Sequence, residues 1–256
     1  MTVLPKAYMR IARELTGYWG TYLPSLALEP GTIGRKRDGV FIKEGHVQNL
    51  AGYDRKRHIA EKDPPGNPVN VWTTNNVRLD VLGASASAPV ADASGRIRLR
   101  FGGANEAAII CNGASHWSFA ELRHVKELMV ELARGDAWDK DQIVVTEVMV
   151  VSSAWICFAT EKDQTAEIKA SAALALPGDP IAALEAIEGK ASLEASAGGR
   201  QSAGYTTTLP EGGTPLFQAI GFKRSWWPFR QDRIDYTKKS GSTVFEEPDF
   251  GLAGET

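Results

Sequence analysis

Alternation of apolar and polar residues is concentrated in two stretches of this chain. In residues 77–101 two alternating arms flank a middle made of Ala, Ser, Gly and Pro with few large side chains. Arg96, Arg98 and Arg100 fall on one face of the second arm; Ile97, Leu99 and Phe101 fall on the other. A period of two is that of an amphipathic strand. Val77, Leu79 and Val81 give the first arm the same apolar spacing. The second stretch, residues 143–176, reads as a longer hairpin. Val144, Val148, Val150, Ile156 and Phe158 share its even-numbered face, although Met149, Val151 and Trp155 blur the alternation. After a charged turn at 161–164 the return arm alternates cleanly. Ala166, Ile168, Ala170, Ala172, Leu174 and Leu176 face one way; Thr165, Glu167, Lys169 and Ser171 face the other. A further alternating arm covers 190–197.

The helical period is confined to short segments. Leu4, Tyr8, Ile11 and Leu15 predict a helix over 4–15, with Lys6, Arg10 and Arg13 together on another face and Gly17 as its stop. Such a helix suits either a solvated charged face or an anionic lipid surface. Ser118 followed by Glu121 predicts a capped helix over 119–134, with Leu122, Val125, Leu128, Met129 and Leu132 as its core stripe and Gly135 as its end. Asp179-Pro180 starts a third helix over 181–187 by N-cap and first-turn proline logic. Strands are expected at 22–28, 39–43, 69–73, 109–111, 205–209 and 216–222, the last two joined by the turn Pro210-Glu211-Gly212-Gly213.

These elements predict an α+β fold: one twisted, largely antiparallel mixed sheet with flanking helices and two long amphipathic hairpins. Residues 1–222 form the expected domain and 223–256 a short tail. With 256 residues and 43% apolar composition the chain is long enough for a substantial core. The net charge of −2 excludes a polycation of the nucleic-acid-binding type. The tail is uneven: Trp226, Trp227 and Phe229 lie among basic residues, whereas Glu246, Glu247 and Asp249 follow with no basic neighbour. No secretory signal is read at the start, and no run approaches the ~18 apolar residues of a membrane helix. A barrel strand needs only about 9–11 alternating residues, so strand insertion stays open.

No motif of catalysis is found. The chain lacks GxxxxGK[ST], GxGxxG after a strand, GxSxG, HExxH and CxxC. Cys111 and Cys157 sit in apolar runs where buried, reduced thiols are expected. His116 and His124 are eight positions apart and read as structural. The expectation is a protein that is not an enzyme and needs no cofactor or metal.

Arg134-Gly135-Asp136 leads into Ile143-Val144-Val145-Thr146-Glu147-Val148, and Thr207-Thr208-Leu209-Pro210-Glu211-Gly212-Gly213-Thr214-Pro215-Leu216-Phe217 closes the last strand pair. Together with the basic first helix and the two hairpins, this order resembles the pore-forming domain of the gasdermin family. There a helix ending in a Gly-containing turn leads into a VVTEV-type strand, and a TIPxGSxLAF-like segment follows later. The resemblance runs through most of residues 4–222 and rests on order and spacing. Two departures stand out. Residues 1–13 contain no cysteine of the kind that becomes lipidated in bacterial gasdermins, and 223–256 is too short for the repressor domain of animal ones.

The resemblance implies an autoinhibited pore former of bacterial anti-phage defence. It would be cytoplasmic when inactive and at the inner membrane after proteolytic removal of the tail. Its implied partners are an activating protease, anionic lipids and further copies of itself; nucleic acid is not expected. Lys6, Arg10 and Arg13 would bind membrane. Val77, Leu79, Val81, Ile97, Leu99, Phe101, Val144, Val148, Val150, Ile156, Phe158, Ile168 and Leu174 would insert. Arg96, Arg98 and Arg100 would line the pore, and Trp226, Trp227 and Phe229 would anchor the tail. The alternative is a soluble binding or scaffold protein that recruits a partner or nucleic acid through the aromatic-basic segment 224–233.

Overall fold

The structure is a computed structural model that describes residues 3–21, 27–37, 40–66, 69–82, 96–139, 141–170, 179–187, 191–194, 205–209, 211–222 and 245–246. The helices are α1 (Val3–Thr16), α2 (Leu122–Arg134) and α3 (Pro180–Ile187). The early strands are β1 (Trp19–Gly20), β2 (Thr32–Arg37), β3 (Val40–His46), β4 (Ala60–Lys62), β5 (Val69–Thr73), β6 (Val77–Leu82), β7 (Arg96–Phe101), β8 (Glu106–Asn112) and β9 (Ser115–Phe119). The later ones are β10 (Gln142–Val151), β11 (Ser153–Ala159), β12 (Gln164–Ala170), β13 (Ala191–Glu194), β14 (Tyr205–Leu209), β15 (Gly213–Phe222) and β16 (Phe245–Glu246). The fold is α+β and largely antiparallel, as expected from the sequence. Its strands form three hydrogen-bonded sheets instead of one. The chain divides into two compact units, the first formed by 1–27, 63–115 and 149–216 and the second by the rest.

The first unit contains two four-stranded sheets with the same strand order. One runs β14-β11-β8-β5, the other β13-β12-β7-β6. Each described passage between them is a short bend: 74–76, 102–105 and 160–163. Backbone hydrogen bonds cross the bends, from Gly102 N–H to the Asn76 carbonyl at 3.1 Å and from Asp163 N–H to the Phe101 carbonyl at 2.9 Å. Asn105 and Asp163 take left-handed backbone there, a conformation their short polar side chains tolerate. One core gathers Ile97, Leu99 and Phe101 of β7, Ala108 and Ile110 of β8, Trp155, Cys157 and Ala159 of β11, and Ala166 and Ile168 of β12. On the other face of β8 and β11, α1 packs Ile11 against Ala107 and Phe158. Both faces of these two strands are therefore covered, which is why they read as continuous apolar runs. Gly17, at a φ of 77°, ends α1, its N–H bonded to the Arg13 carbonyl at 2.9 Å.

In the second unit α2 lays Val125, Leu128, Met129 and Leu132 against Ile33 of β2, Val144 of β10, and Ile220 and Phe222 of β15. The predicted stripe is the buried face. The predicted start is not. Ser118 belongs to β9, where it pairs with Glu61 of β4, and Glu121 is the N-cap, its side chain making no capping hydrogen bond. The ladder to β4 holds 117–119 extended, so the helix begins only at Leu122. β2 and β4 carry no clean alternation and were not anticipated. β16 adds two residue pairs to the end of β15, Gly221 with Glu246 and Phe222 with Phe245.

Candidate functional site: two hairpins in one amphipathic sheet

The sheet β13-β12-β7-β6 is built from two hairpins set side by side. β6 and β7 pair from Val77 with Phe101 to Leu82 with Arg96. β12 and β13 pair from Glu167 with Glu194 to Ala170 with Ala191. The hairpins meet along β7 and β12, with Phe101 opposite Gln164 and Arg96 opposite Lys169. This corrects the second hairpin expected from sequence. The bend at 160–163 does not turn β11 back onto β12. Instead β11 pairs with β8 and β14, and β12 pairs with β7 and β13, so the return arm of β12 is β13. The arm read as continuous over 143–158 is two strands of different sheets, broken at Ser152.

The apolar face of the hairpin sheet carries Ile97, Leu99, Phe101 and Ile168, all buried, with Val77, Leu79 and Val81 partly buried beside them. The helix α3 lies within the second hairpin and contributes Ala183 and Leu184 to the same core. The Asp179 carboxylate caps it by accepting from Ala182 N–H at 2.8 Å, as predicted.

The opposite face is charged. Arg98 donates from Nε and Nη2 to Glu167 Oε1 at 2.9 and 2.7 Å. Arg96 approaches Glu167 Oε2 at 3.8 Å. Arg100 Nε meets Asp80 Oδ2 at 2.7 Å. Thus Arg96 and Arg98 of the first hairpin are tied to the second, and Arg100 is tied across its own hairpin. Glu167 is only 7% exposed, a covered carboxylate satisfied by charge-assisted bonds. Sequence reasoning placed Glu167 on a polar face but missed its role and that of Asp80. The available signal was charge complementarity between the arms: arginines on β7 match acids on both neighbours.

Other expected site residues do not join this sheet. Val144 lies in the α2 core, and Val148 and Val150 are buried elsewhere in β10. Phe158 packs under α1, on the face of β11 opposite that of Trp155 and Cys157, and Ile156 shares its side of the strand. In α1, Arg10 pairs with Glu14 at 3.9 Å. Arg13 bonds to the Gly17 carbonyl and stacks 5.1 Å above the Trp19 ring. Arg13 is therefore engaged in ending its own helix. Lys6 lies in the first turns of α1. Leu174, Trp226, Trp227, Phe229 and the segment 224–233 lie outside the described residues, as do residues 22–26 of the strand expected at 22–28; Ala27 and Leu28 are described and belong to no strand.

Cys111 and Cys157 are free and buried, and burial pushes both thiols up to about 12. His116 Nδ1 lies 2.7 Å from Glu147 Oε1, and His124 Nδ1 lies 2.9 Å from the Arg57 carbonyl. Among the described residues no group of three or more His, Cys, Asp or Glu is placed to hold a metal. Among them, too, no helix is long and apolar enough to cross a membrane, which leaves crossing by strands open. Compared with known protein families and curated proteins, the sequence matches none.

Proposed function

We propose that this chain is a gasdermin-type pore former whose two adjacent hairpins insert into an anionic membrane. The observation that carries this reading is the hairpin sheet itself. Two antiparallel hairpins lie paired in one register, charged on one face and apolar on the other. The same division is what a membrane barrel needs, with apolar residues toward lipid and charged ones toward an aqueous lumen. Moving Ile97, Leu99, Phe101 and Ile168 from a protein core to hydrocarbon preserves most of their burial.

The described arms are shorter than the roughly 9–11 residues of a spanning strand. Extension therefore draws on residues 83–95 and 171–178, where the alternation of the second arm continues through Ala172, Leu174 and Leu176. It also requires α3 to leave the apolar face. The outer edges of the sheet, β6 and β13, are tolerated in lipid only when paired, so insertion demands several copies closing a ring. The tail supports a cleavage trigger. β16 is held to β15 by two residue pairs, and a cut within 223–244 leaves it with no covalent link to β15.

Dye release from phosphatidylglycerol vesicles tests this. The intact chain is expected to release little, and the chain nicked between 223 and 244 to release dye within minutes. Confirmed nicking without release from any cut form contradicts the reading.

A further inference from the structure

At the base of the hairpins, on their charged face, the sheet forms an open concavity of about 760 Å³. Arg78, Arg98 and Arg100 line it together with Asn75 and Asn76. Arg78 and Arg100 are a register pair on neighbouring strands. Like charges directly opposite each other on one face destabilise a ladder. Arg100 is answered by Asp80 and Arg98 by Glu167. Arg78 is exposed and makes no ion pair with any described residue. The acids of the wall are Glu167, already bonded to Arg98, and Asp163 at the bend. The concavity thus holds a second guanidinium opposed to the first, one acid at its rim, and the side-chain amide of Asn75.

We propose that this concavity binds a small soluble polyphosphate, of the size of pyrophosphate or the triphosphate of a nucleotide. One phosphate would lie between Arg78 and Arg100 and relieve their repulsion, since a guanidinium fork matches phosphate oxygens in pairs. Arg98 and Asn75 line the space for a second phosphate. A bound polyphosphate would join β6, β7 and the bend into β12, and so stabilise this sheet as it stands in the structure. The binding step does not depend on the pore reading.

The test is calorimetric titration of the intact chain with magnesium-free pyrophosphate at constant ionic strength, with sulfate as control. Saturable one-site binding is expected, accompanied by a rise in melting temperature that sulfate does not match. Arg78→Gln should weaken binding about tenfold, the loss of one charge-assisted contact. Asp163→Asn keeps a residue suited to its left-handed backbone and should tighten binding. Absence of saturable binding, equal affinity in Arg78→Gln, or an equal effect of sulfate each overturns the proposal. So does binding to phosphatidylglycerol vesicles, sensitive to Arg78→Gln, with none to pyrophosphate.

Discussion

Glu167 holds two arginines while being almost entirely covered. Removing it leaves Arg98 without its partner, and Arg98 is about one-third exposed, so water recovers part of the loss. Glu167→Ala is expected to cost about 1–3 kcal/mol in urea unfolding. A double-mutant cycle with Arg98→Ala should show that most of this is shared between the two; independent effects would contradict the pairing. The thiols make a second case. Their ordinary value of 9.0 is raised to about 12 by burial alone. The unfolded chain therefore loses these protons at lower pH than the folded one. Their contribution to stability is complete below about pH 9 and is lost as pH climbs toward 12. Cys111 and Cys157 should resist thiol reagents at pH 8 until the chain unfolds. At this scale the sequence was informative where burial or local bonding decides, as for the cysteines and Asp179. It was silent on Glu167 because its partners Arg98 and Arg96 lie 69 and 71 positions away.

Helices were legible where their period was strong. The buried face of α2 follows directly from the spacing of Val125, Leu128, Met129 and Leu132. Its start was misread because Ser118 and Glu121 mimic a capping box, while pairing of Ser118 with Glu61, distant in sequence, keeps that segment extended. The second hairpin was misread for a related reason. The charged stretch at 161–164 has turn chemistry, but the strands it joins belong to two sheets, and only tertiary pairing decides that. The elements also divide into those that resist change and those that are lightly held. α3 has eight residues, too few for independent stability, and rests on buried Ala183 and Leu184. Leu184→Ala should cost about 2–4 kcal/mol by the usual cavity cost. Hydrogen exchange should rise first in α3 and in β6, against which α3 packs. A uniform rise across β8 and β11 would contradict α3 as a separately held cover.

At the scale of the molecule, the expectation of an α+β fold came from alternation; the first expected hairpin, β6–β7, is present, whereas the second is β12–β13 and not the one expected over 143–176. What alternation could not supply was which strands neighbour one another. Strand order is fixed by pairings such as β7 with β12, whose cost in chain entropy is met only when the whole core forms. The central claim is that this sheet changes its surroundings from protein core to lipid while keeping its faces. It predicts a period of two in lipid exposure along β7. The direct measurement is a scan of single-cysteine variants at 96–101, each labelled with an environment-sensitive fluorophore and read on phosphatidylglycerol vesicles after nicking. Positions 97, 99 and 101 are as buried as the native thiols, so Cys111 and Cys157 are first changed to Ala and each label is attached to the unfolded chain before refolding. Labels at positions 97, 99 and 101 should be quenched by nitroxide lipid, and those at 96, 98 and 100 by aqueous iodide. Iodide quenching at all six positions, or none that changes on adding vesicles, would contradict insertion of this hairpin.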